Sequence, residues 1–211
     1  MPKQVNLDSN AVLEDMKLAL KGTRSAYADG LYDWQTDLRI QKTKEREDIA
    51  TRSIKGISFR AFTSHGWVYV NGSKTDHTSI RRLASRLNKF DSKKLSSRLT
   101  LPEPSRFDKK ATVKEDPRNI SNEDKLRRLR DLFKLTNTMS SKIVDVHLGY
   151  SEALLERVLV TSGGVEAHQV IPRTRASLVV VVRESGSTEA DVASFGGVLG
   201  YERKTDRCVS H

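Results

Sequence analysis

The sequence predicts an α+β fold, a mostly antiparallel sheet with flanking helices, and three observations predict it. Apolar residues alternate with period two in the first half and again in the last third of the chain. Three other segments carry an apolar stripe at helical spacing. These helices and strands come in blocks rather than in strict β-α-β alternation.

The first element is a helix: Asp8 or Ser9 caps it, Leu13, Met16 and Leu20 share a face, and Gly22 ends it. "AYADGLYDW" and "DLRIQ" predict two short strands, which charged "KTKERED" separates from the next. "GISFRAFTSHGWVYVNG", Gly56 to Gly72, predicts a β-hairpin. Ile57, Phe59 and Ala61 alternate with Ser58, Arg60 and Phe62, "TSHG" turns, and Trp67, Val68, Tyr69 and Val70 return. "TSIRRLASRLNKF" is a second helix with Ile80, Leu83 and Leu87 on its stripe.

Between Leu101 and Ile120, Pro102, Pro104 and Pro117 stand among charges, which predicts a linker. Ser121 opens a third helix, with Asp124 completing a variant capping box and Leu126, Leu129 and Phe133 facing the core. "KIVDVHLGY" and "LLERVLVT" then predict two strands about a short turn, and Ser162 to Gly164 a tight turn. The valines Val179 to Val182 predict a strand buried on both faces or lying centrally. "TEADVASFGGVLGYE" closes with a final strand and a glycine-rich exit.

With a hydrophobic fraction of 36% and a mean hydropathy of -0.54, the core has to come from well-patterned strands. No run reaches the roughly 18 apolar residues that span a bilayer. The start, "MPKQVNLDSN", has no apolar stretch of signal-peptide type, and one cysteine makes no internal disulfide. These features predict a soluble, cytoplasmic protein with no membrane partner.

The net charge is +10, and Lys74 to Lys134 holds 18 basic against 9 acidic residues. That local excess makes nucleic acid a candidate partner. Phe90, Phe107 and Phe133 are its sole aromatics, so stacking on single strands has little support, and solvated helices with a charged linker explain it more simply.

The scan for chemistry returns no catalytic, cofactor-binding or metal-ligating residue. There is no P-loop, G-x-G-x-x-G, H-E-x-x-H or C-x-x-C. Gly196, Gly197 and Gly200 form a flexible turn outside any strand–turn–helix context. His65 sits in the hairpin turn, His77 before a helix, His147 at a half-exposed strand position and His168 near a turn. None has a second ligand at close spacing. Ser162 and Ser185 lack a nucleophile elbow, and the acceptor patterns at Asn71 and Asn119 carry no meaning without secretion. Cys208 and His211 form a pair at a terminus and fall short of a metal site.

The order of elements carries more information than any motif. A helix leads into "AYADGLYDW", then "GISFRAFTSHGWVYVNG", a helix, Asp116-Pro117, "SNEDKLRRLRDLFKL", "VLVTSGG" and a valine-rich strand ending near "GYE". With Gly56, Arg60, Gly66 and Trp67 in the hairpin and Ser162 in the turn, this succession resembles the N-terminal region of the TldD/PmbA family, from about residue 10 to about residue 202. The family's members are described as zinc metallopeptidases and as modulators of DNA gyrase.

The resemblance implies a domain over residues 1–205, with sub-lobes at about 1–101 and 121–205, a linker at 102–120 and a tail at 206–211. It implies a following metallopeptidase domain whose H-E-x-x-x-H helix binds zinc, and neither that domain nor the motif occurs in these residues. The expectation is therefore a domain without zinc of its own and inactive alone. It would position unstructured peptides or associate with a TldD/PmbA-like subunit, as a homo- or hetero-oligomer. The zinc would lie in the missing domain or in the partner. The alternative is a basic module docking on nucleic acid through Lys74 to Lys134.

Overall fold

The computed structural model describes residues 9–90 and 100–201. Its helices are α1 (Ser9–Lys21), α2 (His77–Ser85) and α3 (Asn122–Thr138). Its strands are β1 (Tyr27–Lys42), β2 (Glu47–Thr63), β3 (Gly66–Gly72), β4 (Ser105–Lys110), β5 (Ile143–Thr161), β6 (Val165–Glu184) and β7 (Ser187–Gly197). They form one sheet in the order β3-β2-β1-β5-β6-β4, with β7 also paired to β6. The β2–β3 and β6–β7 ladders are antiparallel, whereas β4 runs parallel to β6. The α+β, mostly antiparallel class read from the sequence is the class observed.

Packing sorts the chain into two compact units. Unit 1 comprises Met1–Trp34, Ile54–Lys110 and Leu155–Val170. Unit 2 comprises Gln35–Ser53, Ala111–Leu154 and Ile171–His211.

In unit 1, α1 and α2 bury their apolar stripes on one face of the strands. Val12, Leu13, Met16 and Leu20 of α1 and Ile80, Leu83 and Ala84 of α2 meet Ile57, Phe59 and Ala61 of β2 and Val158 and Val160 of β5. Asp76 caps α2 by accepting from the Ser79 amide at 2.9 Å. Asn88 ties the end of α1 to the 3-10 turn after α2, accepting from the Arg24 amide and donating to the Gly22 carbonyl, both at 2.9 Å. The hairpin register pairs Phe59 with Val70 and Thr63 with Gly66, and Gly66 takes the positive φ of 102° that the turn requires.

In unit 2, α3 covers one face. Leu126 and Leu129 pack with Leu38, Ile40, Val146, Leu148, Tyr150 and Tyr201, and Phe133 packs at the rim. Ser121 caps the helix, accepting from the Asp124 amide at 3.0 Å.

Several sequence expectations are corrected. "AYADGLYDW" and "DLRIQ" form the single strand β1, and the two strands expected about a short turn at residues 151–153 form the single strand β5. Each of these long strands carries a glycine that serves close packing. A Cβ at Gly30 would stand 2.6 Å from the Phe59 ring and 2.8 Å from Met16 Cε, and one at Gly149 would stand 2.6 Å from Ser177 Oγ. Within the segment read as a linker, β4 and a 3-10 turn at Pro117–Asn119 are ordered. β4 exposes nearly all its side chains, so no alternation announces it. Val179 to Val182 are half-buried rather than buried on both faces: β7 pairs beside them, but α3 covers one face of this unit's strands.

Candidate functional site

An open groove of about 970 Å³ is formed wholly within unit 2. Its lining comes from five strands: residues 37–39 of β1, 50–52 of β2, 151–153 of β5, 173–175 of β6 and 194–197 of β7. The groove therefore runs across the strands. With neighbouring strands about 4.8 Å apart, it is roughly 19 Å long.

The period of the strands decides which side chains it presents. Leu38 and Ile40 point to α3, so Arg39 and Asp37 point away from it. Thr174 and Ala176 are buried, so Arg173 and Arg175 project to the opposite face. Arg52 of β2 completes a set of four exposed guanidinium groups. None of the four is ion-paired among the described residues. The two carboxylates at the groove are engaged differently. Asp37 accepts from Gln35 Nε2 at 2.8 Å, and Glu152 is neutralised by Lys125 Nζ at 2.8 Å. The groove is therefore net positive. Between the arginines lie the small groups Ser151 and Ala153 of β5, and beyond Arg173 and Arg175 lie Ser194 and Gly196 of β7, which leave a chain lying there room to approach the backbone.

Lys125 and Glu152 anchor the groove from the α3 side. Lys125 is 2% exposed, and Glu152 also accepts from the Tyr150 hydroxyl at 2.7 Å. Burial, then the charge of Glu152, pushes the Tyr150 hydroxyl far above its ordinary pKa, and burial also raises Tyr201. Tyr150 and Tyr201 meet edge to face at 5.5 Å, with Arg128 stacked 4.6 Å from the Tyr201 ring.

The histidines scatter. His65 is in the hairpin turn, and His77 is the first residue of α2, with Asp15 at 2.5 Å. His147 pairs with Asp145 at 2.8 Å on an exposed strand face. His168 is the fourth residue of β6, close to the turn at Ser162–Gly164. Its Nε2 lies 2.9 Å from Glu156 and its Nδ1 3.4 Å from Asp108, which β4 brings opposite it; Ser9 also donates to Glu156. Among the described residues, no group of three or more His, Cys, Asp and Glu is arranged to hold a metal ion. The zinc implied by the resemblance thus has no fitting donor set here. Cys208 and His211 lie outside the described residues. No helix among the described residues is long and apolar enough to cross a membrane.

The basic stretch Lys74 to Lys134 divides between the two units. In unit 2 four of its bases are held by carboxylates: Arg118 by Asp116 and Arg127 by Asp124, each at 2.5 Å, Lys125 by Glu152 at 2.8 Å, and Arg130 by Glu47 at 2.7 Å and Glu123 at 2.8 Å. The groove arginines lie outside that stretch, in sequence that is close to neutral overall, and a charge count misses them. The signal that would have found them is phase: Arg39 between Leu38 and Ile40, and Arg173 and Arg175 alternating with Thr174 and Ala176.

Comparison with known proteins agrees with this architecture. Residues 115–209 match the family model described as the PmbA/TldA metallopeptidase central domain. A metalloprotease of Methanocaldococcus jannaschii is 24% identical over 171 residues, 78% of this chain and 37% of its own length. The crystal structure of TldE from Thermococcus kodakarensis shares the fold with a TM-score of 0.68 at 13% identity, over 89% of this chain and 42% of that one. A Bacteroides thetaiotaomicron protein described as a modulator of DNA gyrase does so with a TM-score of 0.67 at 14% identity, over 91% of this chain and 46% of that one. The chain spans less than half the length of each of these relatives. In fold over most of its length, and in sequence over residues 115–209 that match the central-domain model, this chain is similar to members of the TldD/PmbA family.

Proposed function

We propose that this chain supplies a TldD/PmbA-like metallopeptidase with a surface that receives and positions unstructured peptide, and that it works in association with a family subunit. In this reading the zinc and the water it activates belong to another domain or to the partner, and the chain does not cleave peptide alone. The observation that carries the reading is the groove itself. It crosses five strands, and three of those strands lie in the segment that matches the family's central domain. The motif H-E-x-x-x-H occurs nowhere in the 211 residues. A cytoplasmic setting belongs to the same reading, supported by a single cysteine.

The test is to incubate the purified chain with zinc and a dye-labelled unstructured peptide, with and without a zinc-bearing family subunit, and to follow complex formation by native mass spectrometry. The expected result is association and no turnover by the chain alone. Turnover with zinc alone would refute the inactive part, and failure to associate would refute the partnership.

The other reading, nucleic acid docking on Lys74 to Lys134, has less support because Arg118, Lys125, Arg127 and Arg130 of that stretch are already held by carboxylates. Retardation of DNA at low salt, with log affinity falling linearly in log salt, would restore it.

A further inference from the structure

We infer that the groove of unit 2 is selective for acidic peptide, held crosswise to the strands by two pairs of arginines. This names the substrate class within the peptide-receiving reading above and rests on it. Arg52 and Arg39 lie on the adjacent strands β2 and β1, and Arg173 and Arg175 lie on β6, with β5 between the two pairs. From β1 to β6 is two strand spacings, about 10 Å. An extended chain advances about 3.3 Å per residue, so carboxylates about three residues apart reach both pairs.

Charge selects the occupant. Four guanidinium groups without ion-pair partners face Asp37, while the other carboxylate, Glu152, is matched by Lys125 at 2.8 Å. A guanidinium fork binds carboxylate by two parallel hydrogen bonds, which gives direction as well as attraction. Because the groove runs across the strands, the sheet's own backbone groups are engaged in its ladders and do not extend onto the ligand. Recognition must come from these side chains. The β5 floor, Ser151 and Ala153, offers small groups and no aromatic platform, which favours a peptide over stacked bases.

The test uses fluorescence anisotropy on the full chain with fluorescein-labelled unstructured peptides of about six residues, matched to the groove length. One peptide carries Glu at every third position and the other carries Gln there. The Glu peptide is expected to bind about tenfold tighter, with a preference that shrinks as salt rises. The double substitution Arg39→Gln/Arg173→Gln should abolish the preference, with circular dichroism and melting unchanged because both side chains are exposed. Ser151→Glu, which sets a carboxylate between the two pairs, should weaken the Glu peptide and leave the Gln peptide alone.

Equal binding of the two peptides would overturn the proposal, as would a preference that survives the double substitution. Tighter binding of a single-stranded oligonucleotide of matched charge would overturn it too, because the groove would then read phosphate. Acid preference without family association would keep this inference and discard the peptidase reading, and association without acid preference would do the reverse.

Discussion

The faces that the helices leave uncovered differ between the two units. In unit 1 the arginines there are held by carboxylates. Arg60 donates to both oxygens of Asp29 at 2.9 and 2.7 Å and stacks 4.8 Å from the Trp67 ring, and Arg157 clasps Asp33 at 2.6 and 2.8 Å. In unit 2, Arg39, Arg52, Arg173 and Arg175 of the groove have no such partners among the described residues. A paired guanidinium braces a sheet, whereas an unpaired one is available to a ligand. The residue type is the same, and the carboxylate opposite decides its role.

The cores differ as well. Unit 1 packs two helices on a cluster that includes Met16, Tyr32, Phe59 and Ile80, each at most 1% exposed. Unit 2 packs one helix and carries a charged pair, Lys125–Glu152, at the base of its core. Unit 1 should therefore be most sensitive to lost volume and unit 2 to lost charge.

The largest effect is expected from Phe59→Ala, about 4 kcal/mol of destabilisation through an unfilled cavity. Urea unfolding followed by tryptophan emission measures it, since Trp34 and Trp67 both lie in unit 1. A loss under about 1 kcal/mol would show that the site collapses and would break the contrast.

Next comes Lys125→Ala, expected to cost about 3 kcal/mol because Glu152 is left charged and part-buried without its partner. The double variant Lys125→Met/Glu152→Gln should recover more than half of that in urea unfolding followed by far-UV circular dichroism, which reads both units. If it recovers nothing, packing rather than charge holds α3 in place.

Acid should sharpen the comparison further. In unit 2 the carboxyls of Glu47, Asp116, Asp124 and Asp145 are held below their ordinary pKa, chiefly by hydrogen bonds from Arg130, Arg118, Ser121 and His147 respectively. In unit 1, Asp76 is lowered likewise, through Ser79. A carboxyl whose folded pKa is lowered contributes stability above its unfolded value, near pH 4, and loses it as the pH falls through the folded value. Unit 2 amide resonances should therefore broaden before those of unit 1 as pH drops below about 4 in a two-dimensional NMR titration. Simultaneous loss would contradict this.

The smallest effect is expected from Ser121→Ala, about 1 kcal/mol for the lost cap of α3, read as a shift in urea midpoint at unchanged slope.

Much of the fold was legible in the sequence because local periodicity generates it. The stripes of α1, α2 and α3, the Ser121 cap and the Phe59–Val70 hairpin all follow from neighbours in sequence. What escaped was set by distant partners. The polar residues Gln35–Thr36 and 151–153 look like breaks until their neighbours in the sheet pair with them, and β4 exists because β6 offers an edge. The groove was the least legible feature. Its arginines come from three strands far apart in sequence, inside stretches whose summed charge is near zero.

The parallel pairing of β4 with β6 also bears on how the chain reaches this fold. Ser105 pairs with Val165, about sixty positions on, whereas Glu184 pairs with Ser187 across a two-residue turn at Ser185 and Gly186. Closing a long loop carries an entropy cost before any contact offsets it, while a hairpin zips in about 1–10 μs. The hairpins should therefore form early, and β4 should dock late onto an edge already in place. The same strand should be the first to detach when the native state opens locally, leaving the β6 backbone transiently unpaired along Val165 to Val170.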